Sequence, residues 1–120
     1  MRQASTIGPV SDDSAELGNL VLTTTREGTS VLVAIAGELD AHSAPSLEEL
    51  VGGLRSDGYV HFTLDMSQTT FIDSSGLRSL IELQNRLKEK GDGALVLQAP
   101  ADPVTRLLRI TGLGEHFAVK

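Results

Sequence analysis

The apolar positions in LVLTTT (20–25) and SVLVAIAG (30–37) form two runs rich in β-branched residues, separated by a short link through Glu27-Gly28. This pattern predicts a β-hairpin whose second strand ends at Gly37. The period then changes. In ELDAHSAPSLEELVGGL, Leu47, Leu50, Val51 and Leu54 recur at i, i+3, i+4 and i+7, which is one face of a helix. Ser43 is placed to cap that helix, and Pro45 falls in its first turn, where a missing N–H costs nothing. Glu48 and Glu49 suit the positive helix end. Burying the four apolar side chains contributes about 6–12 kcal/mol before chain entropy is subtracted. Gly52-Gly53 weakens the interior and leaves the helix end undefined.

Farther along, YVHFTLDM (59–66) alternates Val60, Phe62, Leu64 and Met66 with polar residues and predicts a strand. Residues 75–90 carry the strongest helical pattern, with Leu77, Leu80, Ile81, Leu83 and Leu87 inward. Lys88 and Lys90 suit its C-terminus, and Gly91 can take the left-handed closing conformation. ALVLQA (94–99) predicts a short buried strand. Asp102 can cap a helix from Pro103, with Val104, Leu107, Leu108 and Thr111 inward and Gly112 at its end, and HFAV (116–119) predicts a last short strand. Strands joined through helices imply parallel pairing, and the hairpin adds an antiparallel pair. The expected fold is α/β: a mixed sheet of four to five strands opened by a hairpin, with three to four helices packed against it. Residues 1–17 are small, polar and without period, and predict a mobile tail before a single domain over 18–120.

Composition narrows the chemistry. Aromatics are limited to three Phe and one Tyr, so Leu, Val, Ile and Ala must build the core. A net charge of −6 argues against a nucleic-acid or anionic-membrane surface, because either needs a basic patch to displace counterions. With no cysteine there is no disulfide, thiolate nucleophile or cysteine-ligated zinc. The three histidines, His42, His61 and His116, show no metal-ligand spacing and read as surface or edge residues. No apolar run approaches the roughly 18 residues of a membrane span, and the start has no signal-peptide block. A cytoplasmic protein is expected.

Attention then falls on TTFIDSSGLRSL (69–80), where an apolar pair meets Asp73, Ser74, Ser75 and Gly76 just before the strongest helix. The plainest reading is a helix cap. Gly76 weighs against a purely structural role, since glycine costs about 0.8–1.0 kcal/mol relative to alanine inside a helix; a missing side chain lets another backbone approach and favours a surface in use. A hydrolase elbow would read G-x-S-x-G, and His116, the one later histidine, stands alone. The phosphate-loop pattern is absent. A phospho-acceptor aspartate, at Asp65 or Asp73, lacks the acidic pair that receivers place after their first strand, since Asp12-Asp13 lie before it. A phosphorylatable serine fits the geometry. Phosphate adds about −1.5 to −2 charges, which free amides at a helix start tolerate while an acidic partner is repelled.

Three stretches in register, GELDAHSAPSL, TLDMSQTTFIDSSGLRSL and RLLRITGLGEHF, resemble the STAS domains of bacterial anti-sigma factor antagonists over about residues 18–120. The resemblance implies a STAS-type fold and a phosphorylated hydroxyl directly after the motif's aspartate. That residue is Ser74 here, with Ser75 the second candidate. It further implies partner switching: the unphosphorylated protein binds an anti-sigma factor, itself a serine kinase, and so releases a sigma factor. Phosphorylation ends the complex, and a metal-dependent serine phosphatase resets it. The implied partner surface comprises Asp40, Ala41, His42 and Ser43, then Asp73, Ser75, Gly76, Leu77 and Arg78. Ser43 stands where the family commonly has Thr. For Asp40, service to nearby backbone competes with partner contact. On this reading the protein is not an enzyme and needs no cofactor. An accessory STAS subunit of an ABC-type transporter or of a signalling complex is the alternative.

Overall fold

The structure is a computed structural model and describes residues 20–89, 91 and 93–120. The expected tail, 1–17, and Lys90 lie outside the described residues. The hairpin forms from β1 (Leu20–Glu27) and β2 (Ser30–Leu39), turning at Gly28, whose φ of +61° favours glycine. Then follow α1 (Ala44–Ser56), β3 (His61–Asp65), β4 (Thr69–Ile72), α2 (Ser74–Glu89), β5 (Ala94–Gln98), α3 (Asp102–Thr111), a 3-10 turn (Gly114–His116) and β6 (Ala118–Val119).

These strands make a six-stranded mixed sheet in the order β1-β2-β3-β5-β6, antiparallel at β1–β2 and parallel elsewhere, with β4 pairing β2 beyond the end of β3. Register brings the inward residues into one continuous face: Val31 lies opposite Phe62 and Phe62 opposite Leu95, while Val33, Leu64 and Leu97 form the next row. Leu47, Val51 and Leu54 of α1 and Leu80, Leu83 and Leu87 of α2 share the core with that face. The alternate sheet residues, such as Leu32, Ala34, Thr63 and Val96, are half-buried on the other face. The α/β class, the opening hairpin and the parallel crossovers agree with the sequence reading.

Several details differ. The strand expected over 59–66 covers only His61–Asp65, and a separate strand, β4, follows it, which raises the count to six. β4 escapes a period-of-two reading because Thr69 and Ile72 are buried while Thr70 and Phe71 are exposed. It lies beside an irregular register of β2 between Gly37 and Glu38. The final strand is Ala118–Val119 alone, with His116 in the 3-10 turn. Ala101, not Asp102, precedes α3, and Asp102 lies in the first turn. Thr111 is exposed, its hydroxyl donating back to the Leu107 carbonyl at 2.8 Å. Gly112 closes α3 with φ +74°, as its position predicted.

Candidate functional site

Parallel pairing of Leu39 with Ile72 sends the chain off the sheet at two adjacent points. The next residues are Asp40 and Asp73, and they do the same job. Asp40 Oδ1 accepts the amides of His42 (3.0 Å) and Ser43 (2.9 Å), and its carbonyl accepts the Ala44 amide (2.8 Å). Asp73 Oδ1 accepts the amides of Ser75 (2.9 Å) and Gly76 (3.0 Å), and its carbonyl accepts the Leu77 amide (3.0 Å). Each aspartate thus satisfies backbone donors two, three and four residues on; Asp73 directly precedes α2, while Asp40 closes the turn that leads into α1. The Asp73 amide lies 3.4 Å from the Leu39 carbonyl, which ties the two turns together.

The residue before α1, Ser43, turns its hydroxyl backward instead of capping: it donates to the Glu38 carbonyl (2.7 Å) and accepts the Asp40 amide (3.0 Å). Ser43 is buried, so this hydroxyl locks the loop from inside. The Asp40 carboxylate serves the loop's own backbone, one of the two roles that the sequence left open. The Ser43 amide beside it holds the Asp40 carboxyl below the usual carboxylate range; partial burial opposes this, while the Ser43 hydroxyl and the amide and charge of His42 add to it. Ala41 and His42 are exposed at the loop tip.

On the second turn, Ser74 is the first helical residue and is exposed, and among the described residues its hydroxyl has no hydrogen-bond partner. The cap is Asp73, whose carboxylate takes the Ser75 and Gly76 amides. Ser75 is half-buried and Arg78 exposed. Leu77 is buried in the core, and Gly76 is buried against the end of β2. The approaching backbone that Gly76 admits is therefore the chain's own Leu39, not a partner. Of the predicted site residues, Ala41, His42, Ser74 and Arg78 are open to solvent, Asp40, Asp73 and Ser75 partly so, and Ser43, Gly76 and Leu77 shape the surface from below. Aspartate followed by two serines was the signal for the cap of α2, but serine competed for the same position.

An exposed hydroxyl at a helix start, held by a cap that does not use it, can accept a phosphoryl group without breaking a contact. Among the described residues no group of three or more His, Cys, Asp or Glu side chains is arranged to hold a metal ion. No helix among them is long and apolar enough to cross a membrane.

The profile of the STAS domain matches residues 21–120, and the chain belongs to this family. The curated "Anti-sigma-B factor antagonist" of Staphylococcus aureus (strain NCTC 8325 / PS 47) is 32% identical over 101 residues, covering 84% of this chain and 93% of the relative. Among solved structures, an anti-sigma factor antagonist from Mycobacterium paratuberculosis has a TM-score of 0.68 at 26% identity, over 83% of this chain and 84% of that one. The anti-sigma factor antagonist SpoIIAA in its unphosphorylated form has a TM-score of 0.65 at 17% identity, over 83% and 87% of the two chains, a likeness of fold. The resemblance carried by the three sequence stretches is borne out over nearly the span expected of it.

Proposed function

We propose that this chain is an anti-sigma factor antagonist that works by partner switching and is controlled by phosphorylation of Ser74. The observation that carries the reading is the placement of an exposed Ser74 hydroxyl, with no hydrogen-bond partner among the described residues, beside the Asp40–Ser43 loop, on a chain related to named antagonists. The unphosphorylated protein binds an anti-sigma factor through Ala41, His42, Ser74 and Arg78, with Asp40, Asp73 and Ser75 at the margins, and so releases the sigma factor. The anti-sigma factor is a serine kinase that supplies ATP and Mg²⁺, and a metal-dependent serine phosphatase removes the phosphate. The chain itself is substrate and competitor rather than enzyme, acting in the cytoplasm.

The capping geometry supports a mechanism different from simple phosphate capture. Asp73 already occupies the Ser75 and Gly76 amides. A phosphate on Ser74 therefore stands beside the Asp73 carboxylate and leaves the cap intact. Its charge of about −1.5 to −2 is concentrated on the docking face, where it repels acidic groups and resists desolvation. The fold is kept and the complex is lost.

Incubation with the cognate anti-sigma kinase and ATP, followed by mass spectrometric localisation, tests the assignment. Phosphate is expected on Ser74, and phosphate solely on Ser75 or in residues 1–19 would reject it. Co-purification with an ABC-type ATPase in place of a kinase would instead support an accessory subunit.

A further inference from the structure

Helices α1 and α2 both begin at the candidate surface and are pinned to each other by two polar contacts. Near the surface, the Ser79 hydroxyl donates to Oε2 of Glu48. At the far end, Arg55 Nη1 donates to the Arg86 carbonyl at 3.0 Å. With a rise of about 1.5 Å per residue, Glu48 lies about 6 Å below the start of α1 and Ser79 about 7.5 Å below the start of α2. Arg55 and Arg86 lie about 16 and 18 Å below the same starts. The helices thus run side by side in register. Between the pins the buried side chains of Val51 and Leu83 face the groove, and Leu87 lies just beyond Arg86. Interdigitated apolar side chains set the spacing of the two helices, and the polar pins add directional contacts along their length.

Ser79 is buried, 4% exposed. A serine inside a helix commonly turns its hydroxyl back to the carbonyl four residues earlier, as Thr111 does toward Leu107. Ser79 instead reaches across to a carboxylate on another helix, where a charge-assisted bond is stronger than a neutral one. Glu48 is half-buried, so both partners are withdrawn from bulk water.

We propose that Ser79 and Glu48 are positioning residues for the phospho-acceptor surface. Their bond fixes α1 against α2 directly beneath the site and so sets the placement of the Asp40–Ser43 loop relative to Ser74. The inference rests on the function proposed above only for its consequence in recognition; the coupling of the two turns is a property of the free chain.

Amide hydrogen exchange of the full chain, with no kinase present, tests the coupling. In Ser79→Ala the amides of Ser43, Ser75 and Gly76 are expected to exchange about tenfold faster, the scale of one lost bond to a charged group, while those of Val33 and Leu64 keep wild-type rates. Glu48→Ala should reproduce this, and Glu48→Gln, which keeps an acceptor oxygen without the charge, should show a smaller acceleration than Glu48→Ala; this pair carries the test if Ser79→Ala does not fold. Unchanged exchange at the three amides, or equal acceleration of all amides, overturns the proposal. With the cognate anti-sigma kinase, Ser79→Ala should raise KM about tenfold with kcat within about twofold. An unchanged KM despite the loosened amides overturns the link to recognition. Loosened amides in a chain whose wild type is not phosphorylated on Ser74 reject the functional reading and leave the coupling standing.

Discussion

Gly76 lies directly over the carbonyl of Leu39: a Cβ added to it would stand 2.5 Å from that oxygen and 3.0 Å from Ile72 Cγ1. The first turn of α2 is therefore seated on the end of β2, and the loop leaving β2 starts beside the helix that carries Ser74. The absent side chain serves internal approach, which a strand-end backbone cannot yield to a methyl group.

Gly76→Ala is accordingly expected to destabilise the fold by about 1–3 kcal/mol, the range for overpacking a tight site. Gly53→Ala is the control. Gly53 sits exposed in α1 with nothing within 4 Å of an added Cβ, so alanine should stabilise by about 0.5–1 kcal/mol through helix propensity. Urea denaturation of the two variants should give midpoint shifts of opposite sign.

The Asp73 cap can be isolated in the same way. Asp73→Ala leaves the Ser75 and Gly76 amides without their acceptor, at a cost of about 0.5–2 kcal/mol. Asp73→Asn keeps an oxygen in place and should lose less than half as much. Equal losses for both substitutions, read from the same denaturation curves, would show that the charge and not the hydrogen bonds holds the turn.

Asp40 makes a pH-dependent contribution whose sign follows from its lowered pKa. The unfolded chain binds this proton near pH 3.9, and the folded chain only at lower pH. The stabilisation is therefore fully present above about pH 5 and is lost as pH falls through the folded value. Carboxyl carbon chemical shifts should place the Asp40 midpoint below 3.9. The stability gap between wild type and Asp40→Asn, open at pH 6, should narrow steadily below about pH 4. A gap that stays constant to pH 2 would contradict the hydrogen bonds from Ser43 and His42.

Much of this architecture is legible in the sequence because it rests on long periodic runs. The α2 stripe of Leu77, Leu80, Leu83 and Leu87 is buried as its spacing requires, and the hairpin and crossovers follow from alternating segments joined by helices. β4 was not legible, since four residues with burial at both ends carry no period, and its pairing depends on where β2 bends. At the site, the pattern located both turns but not the atoms that close them. Asp, Ser and Ser stand in sequence at 73–75, and each can cap. Gly76 is seated on Leu39, a long-range approach that no local spacing records. Ser43 shows the same limit: it occupies the position before α1, yet the Glu38 carbonyl five residues back claims its hydroxyl.

Ser74→Asp places a fixed negative charge where the phosphate is proposed to act. Ser74 is exposed and outside the Asp73 cap, and acidic residues are favoured in a helix's first turn by up to about 1 kcal/mol. The variant should therefore keep wild-type circular dichroism and lose no more than about 0.5 kcal/mol of stability, the usual span for surface substitutions. Binding to the anti-sigma factor, measured by calorimetry, should weaken at least tenfold, because the partner must then desolvate a second carboxylate beside Asp73. Raising the salt concentration should recover little of that loss if the charge is buried in the complex, and much of it if the charge acts across solvent. Affinity unchanged from wild type would place the interface elsewhere on the domain. Ser74→Ala, which removes the acceptor hydroxyl without adding charge, should bind as wild type does and resist release by kinase and ATP.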